Sequence, residues 1–423
     1  MKPTAPLKTL PFTVTLVALV SLVAFPVACS KSSGLAAGPD FQKRLQEALI
    51  TAKPGAVIEL PEGRLPVDRG LSLSVDRVTI RGKGIDKTIL SFKDQKSGAA
   101  GLQVTSSNFT IEDLAIEDTK GDALKINGAN NVTIRRVRTE WTGGPSEKNG
   151  SYGIYPVQCT NVLIEDSASI GAADAGLYVG QSRNIIVRRN RAEYNVAGIE
   201  IENSTGADVY ENKATNNTGG ILVFNLPDLP VKTGSSTRVF NNEIVANNTP
   251  NFGAKGSMVA KVPTGTGVIV LAASHVEVFK NNIKDNHAAS VSIISYFTTG
   301  DPIHDAAYYP YTEAVYIHDN VISGGGTNPT GRYAAELAPI AGKPMPAILY
   351  DGIVDPKKLV GKSLPDDLRI CLQNNGAATF LNYDAAGSFK HPSRDAAAHN
   401  CSLAPLTAIS LPAPGAGAPS GGY

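Results

Sequence analysis

Between Asn108 and Ser323 the hydrophobic positions fall into a short phrase that keeps returning, as in NFTIEDL (from Asn108), NVTIRRV (Asn131), NVLIEDS (Asn161), NIIVRRN (Asn184) and HVEVFKN (His275). Its apolar anchors are Ile111, Ile134, Ile164, Val187, Val209, Val239, Val278 and Ile317, spaced 23, 30, 23, 22, 30, 39 and 39 residues apart. A second phrase interleaves with the first: ALKI (Ala123), GLYV (Gly176), GIEI (Gly198), GILV (Gly220) and GVIV (Gly267). Short β-rich strings on a base period of 22–23, separated by Gly and Asn turns, predict a solenoid whose coils each carry short strands. No segment of helical period intervenes, which disfavours a βαβ sheet. The expected class is all-β, a right-handed parallel β-helix, its hand following the preference of parallel crossovers.

Asparagine keeps the same register. Asn190, Asn212, Asn242, Asn281 and Asn320 recur three residues past the anchor, and Asn195, Asn217, Asn247 and Asn286 five residues later. Asn tolerates left-handed backbone angles, and stacked at one corner its amides can form a ladder along the axis. Within the second phrase side chains alternate, so Leu124/Ile126, Leu177/Val179, Ile199/Ile201 and Ile221/Val223 should point inward. Lys125, Tyr155, Tyr178, Glu200, Glu202, Leu222 and Phe224 should then share one outer face, with Gln181, Asn203 and Asn225 just past the strands. Lys125, Tyr155, Tyr178, Gln181, Asn203 and Asn225 form the candidate ligand-binding set, since aromatic rings stack on sugars and amides bond hydroxyls.

The longer steps come from insertions at both edges of that face, Trp141–Tyr152 and Thr249–Thr266 before the strand, Leu226–Ser236 and Tyr296–Glu313 after it. Insertions of this kind often mark a binding face, and here they are expected to wall a trough. Two candidate catalytic sets arise. Glu200 and Glu202 lie two apart on one strand, about 6.5–7 Å between backbones, near the lower limit for an inverting glycosidase pair. Asp301-Pro302-Ile303-His304-Asp305, in the longest wall insertion, resembles the Asp-Pro-His-Asp motif of mannuronan C5-epimerases with Ile303 interrupting it. Tyr308, Tyr309 and Tyr311 follow it, so His304 and a tyrosine could serve as base and acid in removing a proton α to a carboxylate, with Asp305 in the same candidate set.

The flanks differ. Residues 1–28 read as an export signal, Lys2 and Lys8 ahead of an apolar run, and Cys29 follows Pro26-Val27-Ala28 as the lipidated Cys of a bacterial lipoprotein would. Such a protein sits, lipid-anchored, on the periplasmic face of the outer membrane or at the cell surface. Residues 29–39 read as a tether, and Asp40 as the N-cap of a short helix that covers the open end of the solenoid. The coils run to 324, and 325–423 reads as an irregular C-terminal cap with a loose tail from 403. An oxidising compartment favours a disulfide between Cys371 and Cys401, while Cys159 reads as a buried small residue. Net charge is +1, which gives no field for nucleic acid, and no metal spacing or cofactor motif appears.

GLYVGQSRNIIVRRN (Gly176), AGIEIENS (Ala197), NNTGGILVFNLPDLP (Asn216), TRVFNNEIVANNTPNF (Thr237) and GTGVIVLAASHVEVFKNN (Gly265) resemble an exported bacterial family of parallel β-helix repeat proteins, over roughly residues 40–325. More widely the coils resemble the pectin-lyase-like, carbohydrate-associated β-helices. The resemblance implies fold and export, suggests an exported cytochrome-c-like partner, and supplies no catalytic residue. The leading expectation is a non-catalytic β-helix binding a polysaccharide or a partner protein along the walled face. The alternatives are a polysaccharide lyase, uronate epimerase or glycoside hydrolase, and a scaffold for a periplasmic electron-transfer partner.

Overall fold

The computed structural model describes Met1 and residues 33–412. The segment expected to be an export signal, Cys29 as the expected lipidation site and the stretch from 413 onward lie outside the described residues.

Each full coil contributes three strands, as in Ala175–Gly180, Arg183–Arg188 and Arg191–Glu193. Each pairs in parallel with its counterpart one coil on, Tyr178 opposite Glu200, Ile186 opposite Asp208, Ala192 opposite Ala214. One side of the solenoid is an 11-stranded sheet running from Arg69–Leu73 to Phe380–Asn382, and a 20-stranded sheet forms the rest. The expected inward columns are buried: Leu124, Leu177, Ile199 and Ile221 have no exposed surface. Stacking aliphatic on aliphatic in each coil removes every such side chain from water, roughly 1.5–3 kcal/mol apiece, and this burial sustains the winding.

The corner asparagines form two continuous ladders. Nδ2 of Asn190 donates to Oδ1 of Asn212 at 3.0 Å, and the relay continues through Asn242, Asn281 and Asn320. Asn195, Asn217, Asn247 and Asn286 form the second. The left-handed residue is the one before each ladder position (Arg189 at φ 55°, Glu211 at 55°, Asn241 at 54°), so the asparagines serve as bonding groups and their neighbours make the turn.

At the N-terminal end the helix Phe41–Thr51 buries Phe41, Leu45 and Leu49 on the first coil, and Gln42 and Gln46 bond the backbone of Asp68 and Ser72. Asp40 precedes it at φ 59° and makes no capping bond, unlike the expected N-cap. Instead Arg44 fixes the incoming chain through the carbonyls of Pro39 and Ala36.

The C-terminal region departs from the irregular cap expected for 325–423. After the helix Gly331–Ala341, strands Ile348–Tyr350, Ile370–Gln373 and Phe380–Asn382 extend both sheets in register. Asn375 takes the next place in the first ladder, 55 residues after Asn320. The winding persists while its connections lengthen, which is why the period disappears from the sequence. A disulfide joins Cys371 to Cys401, and Cys159 is buried and unpaired.

The tail from 403 is also bound as far as it is described. Leu406 donates its N–H to Glu277 at 3.1 Å and Ile409 donates to Asp208 at 3.0 Å. Glu277 and Asp208 stand two coils apart through Arg238. Three extended residues at about 3.1 Å each cover about 9.3 Å, and two coils rise about 9.6 Å. The tail therefore climbs the solenoid as a strap whose donors meet every second coil. Truncation after Ser402 is expected to lower Tm by a few degrees by taking one backbone donor from each carboxylate, which leaves Asp208 to Arg238 and Glu277 to His318, and an unchanged Tm would show that the strap adds no stability.

Candidate acid–base site

The outward column of the 11-stranded sheet begins polar and open, then becomes covered. Gln103 is exposed, Lys125 and Tyr155 are half-buried, and Tyr178 and Glu200 are 3% and 2% exposed. Beyond them the same column reads Leu222, Ile269 and Ser292, all buried. The cover comes from the insertions: Val259, Val262, Tyr296 and Tyr308 pack with Tyr178, Leu222, Phe224 and Ile269 in an apolar cluster separate from the solenoid interior. The insertions thus fill the C-terminal half of the expected trough, because the outward positions there are apolar and their burial is favourable. The open half ends where Glu200 and Glu202 begin.

At that step four carboxyl groups and three tyrosines gather. Tyr152, Tyr155 and Tyr178 form a ring triangle with centroids 4.4, 4.7 and 4.9 Å apart. Tyr178 leans along its own strand and donates its hydroxyl to Oε1 of Glu202 at 2.5 Å. Gly180 permits this, since a Cβ there would overlap the Tyr178 ring. Glu200 hydrogen-bonds Glu202, and Tyr152 hydrogen-bonds Asp174 on the turn before the preceding strand. Lys125 stands 3.9 Å from Asp122 and 4.7 Å from the Tyr155 ring centre.

Burial dominates the electrostatics. Desolvation, with the Glu202 charge adding to it, pushes Asp174 up to about 7. Desolvation likewise pushes Glu202 up to about 7, opposed by the Tyr178 and Glu200 hydrogen bonds. Glu200 rises well above the ordinary carboxylate range, through burial first and then Glu202 and Asp174, and one of its oxygens is buried without a partner. Burial raises Tyr155 to about 12. Like charges this close cannot all ionise, so the cluster holds protons at neutral pH and titrates as a unit. Among the described residues no group of three or more His, Cys, Asp or Glu is placed to hold a metal ion.

The structure brings together Lys125, Tyr155, Tyr178, Glu200 and Glu202 and separates the other candidates. Asn203 spends its amide on the carbonyls of Leu226 and Val231, and Asn225 on those of Gly234 and Ala272. Both fasten the base of the 226–234 insertion, so neither is available to a ligand. Gln181 lies half-buried at the turn, its carbonyl oxygen buried without a partner. His304 is exposed, and Asp305 is paired with Lys232 at 2.7 Å, which holds its carboxyl below the usual range. That pairing is internal to two insertions and contributes nothing to the carboxyl cluster. Asp122, Tyr152 and Asp174 were not singled out from sequence, although Asp122 and Asp174 each stand immediately before a second-phrase strand core.

Residues 76–232 match the family model described as a right handed beta helix region. No curated protein matches the chain. Among solved structures it is similar to the A-module of mannuronan C-5 epimerase AlgE4 from Azotobacter vinelandii, at 19% identity and a TM-score of 0.50, covering 82% of this chain and 93% of that one. The AlgE6 A-module from Azotobacter vinelandii is similar at 20% identity and a TM-score of 0.48, covering 81% and 91%. An alginate lyase from Paenibacillus sp. str. FPU-7 is similar at 16% identity and a TM-score of 0.45, covering 70% and 99%. With its parallel three-strand coils and this match, the chain is a right-handed parallel β-helix protein.

Proposed function

We propose that this protein is a carbohydrate-active enzyme that breaks a glycosidic bond at the Asp174–Glu200–Glu202 cluster. The observation that carries the reading is the pair of carboxyl groups, Asp174 and Glu202, poised at about 7 beside a protonated Glu200. A general acid or base works best when its pKa lies near the operating pH, and strongly perturbed carboxyls cluster at functional sites. In the reaction, the Glu200–Glu202 pair gives a proton to the leaving oxygen as the C1–O bond breaks. Asp174, oriented by Tyr152, takes the proton of the water that adds to C1, and solvent exchange restores the pair.

The open half of the column supplies the approach, with Gln103, Lys125 and Tyr155 leading to the acids at about 4.8 Å per coil. The mannuronan C-5 epimerase of like fold makes a polysaccharide the first substrate class to test. Several carboxyl groups beside one lysine favour a neutral glycan over a uronate, whose charge would meet the cluster directly. The non-catalytic binding reading is weaker because Asn203 and Asn225, which were to hold sugar hydroxyls, are used internally.

The test is release of reducing ends from a panel of neutral glycans and uronate polymers, with glycan retention measured in parallel. Expected is turnover of a neutral glycan, with a bell-shaped pH profile peaking at about 7 whose acidic limb is lost in Asp174→Asn. Retention of glycan without turnover, abolished by Tyr155→Ala, would overturn the enzymatic reading in favour of binding. Turnover confined to uronates would overturn the substrate class.

A further inference from the structure

Two outward columns leave the acid cluster toward the C-terminal end. Glu202 is followed by Phe224, Leu271 and Ile294, and Glu200 by Leu222, Ile269 and Ser292. The insertions that cover these positions do not seat flush upon them. Between the 249–265 and 295–312 segments and the strands lies a cavity of about 400 Å³, floored by Phe224, Ile269, Leu271 and Ile294 and faced by Met258. It begins one coil beyond Glu202, about 4.8 Å along the axis.

Most of the polar groups around this cavity are committed. Asn251 donates to the carbonyls of Val259 and Val262 and accepts from Gly253 N–H. Lys261 is ion-paired with Asp301. Thr298 donates to Asp351, a fully buried carboxylate that also accepts the N–H of Ser295 and so anchors the cover. Thr299 accepts the N–H of Asp301. Glu336, at the outer end, has a partner of its own. Ser292 remains as a hydroxyl on the floor. An occupant therefore meets an apolar floor, an ion-paired Lys261 and the hydroxyls of Ser292 and Thr330, and a charged ligand would gain little there to offset its desolvation.

We propose that this cavity is a binding site for a neutral aryl group. Its size is at the small end of ordinary ligand pockets, Phe224 offers a ring to stack on, and Met258 a thioether to set against a ring. Placed one coil from Glu202, it would hold the aryl aglycone or aryl substituent of a glycoside while the sugar lies over the acids. The catalytic part of this assignment rests on the function proposed above, and the binding part does not.

Isothermal titration of the full-length protein with 2-naphthol, with benzoate and cyclohexanol as controls, tests the site. Expected is binding of 2-naphthol to wild type, weakened about tenfold or more by the cavity-filling changes Ser292→Phe and Met258→Trp and unchanged in Glu202→Gln. Met258 lies on the covering segment, so one filling variant leaves the strands untouched. Equal binding of benzoate would overturn the neutral specificity, and tighter binding of cyclohexanol the aryl preference. Absent 2-naphthol binding, or binding indifferent to both filling variants, would overturn the site. If 2-naphthol binds as expected but aryl glycosides are not cleaved, the cavity stands and the hydrolytic reading falls. If glycans are cleaved but 2-naphthol neither binds nor competes, the cavity falls alone.

Discussion

Glu202→Gln is expected to lower turnover by roughly 10²- to 10⁴-fold and at the same time to stabilise the protein at pH 8. The two effects share one cause. Glu202 has its carboxyl raised from the ordinary 4.5 to about 7, chiefly by burial. Its folded-state pKa therefore lies above its unfolded value, and the folded chain binds the proton more tightly. The stability this provides is fully present below pH about 4.5 and is lost as pH rises through about 7. At pH 8 the wild type carries a desolvated charge that the amide does not. The amide keeps an oxygen for the Tyr178 hydroxyl, so the hydrogen bond survives. A gain of roughly 3–3.5 kcal/mol at pH 8, shrinking toward zero at pH 4, follows from the shift of 4.5 to about 7 at about 1.4 kcal/mol per pKa unit. Urea denaturation at the two pH values measures it. A variant that loses activity and stability together would show Glu202 to be a structural carboxylate.

Asn217→Ala should be among the most damaging single changes in the solenoid. The Asn217 side chain is fully buried and makes four hydrogen bonds. It accepts from the backbone N–H and Nδ2 of Asn195 at 3.0 Å each, and donates to Ala192 O and Asn247 Oδ1 at 2.9 Å each. Alanine removes all four bonds to the two flanking coils, although Asn195 Nδ2 keeps Ser169 O and Asn247 Oδ1 keeps the Asn217 N–H. At about 1–3 kcal/mol for each stranded group, with partial relaxation, the loss should reach roughly 3–6 kcal/mol. The exposed Asn184, which bonds Asn161 at 3.2 Å and sits at φ 53°, is the control, and Asn184→Ala should cost only about 1 kcal/mol, mostly for its left-handed backbone. Denaturant midpoints that fail to separate the two would mean the buried ladder adds little beyond the apolar core.

How far the sequence could be read depends on how local each cause is. The coil period, the inward columns and the asparagine ladders are repeated in every turn, so each residue's environment is set by its equivalents above and below. Asn375 escaped only because the connection before it is 55 residues long and breaks the visible period. The acid cluster was half legible. Glu200, Glu202 and Tyr178 follow from strand alternation, whereas Asp122, Tyr152 and Asp174 enter from turns and strand starts whose direction alternation does not specify. His304 and Asp305 show the opposite failure, since a motif within an insertion reveals its residue types and nothing about what the insertion packs against.

By itself, then, the sequence determined that the chain winds as stacked parallel coils and which side chains face outward together, because periodicity converts spacing directly into neighbourhood. Only the tertiary structure decided that the insertions lie down upon the apolar half of that face and stop at the acids. Whether a loop walls a groove or fills it depends on the surface it can bury, and that surface is assembled from residues in several coils. The same covering drives water from Glu200 and Glu202, so the protonation on which the proposed chemistry rests arises from packing that no single stretch of the chain encodes.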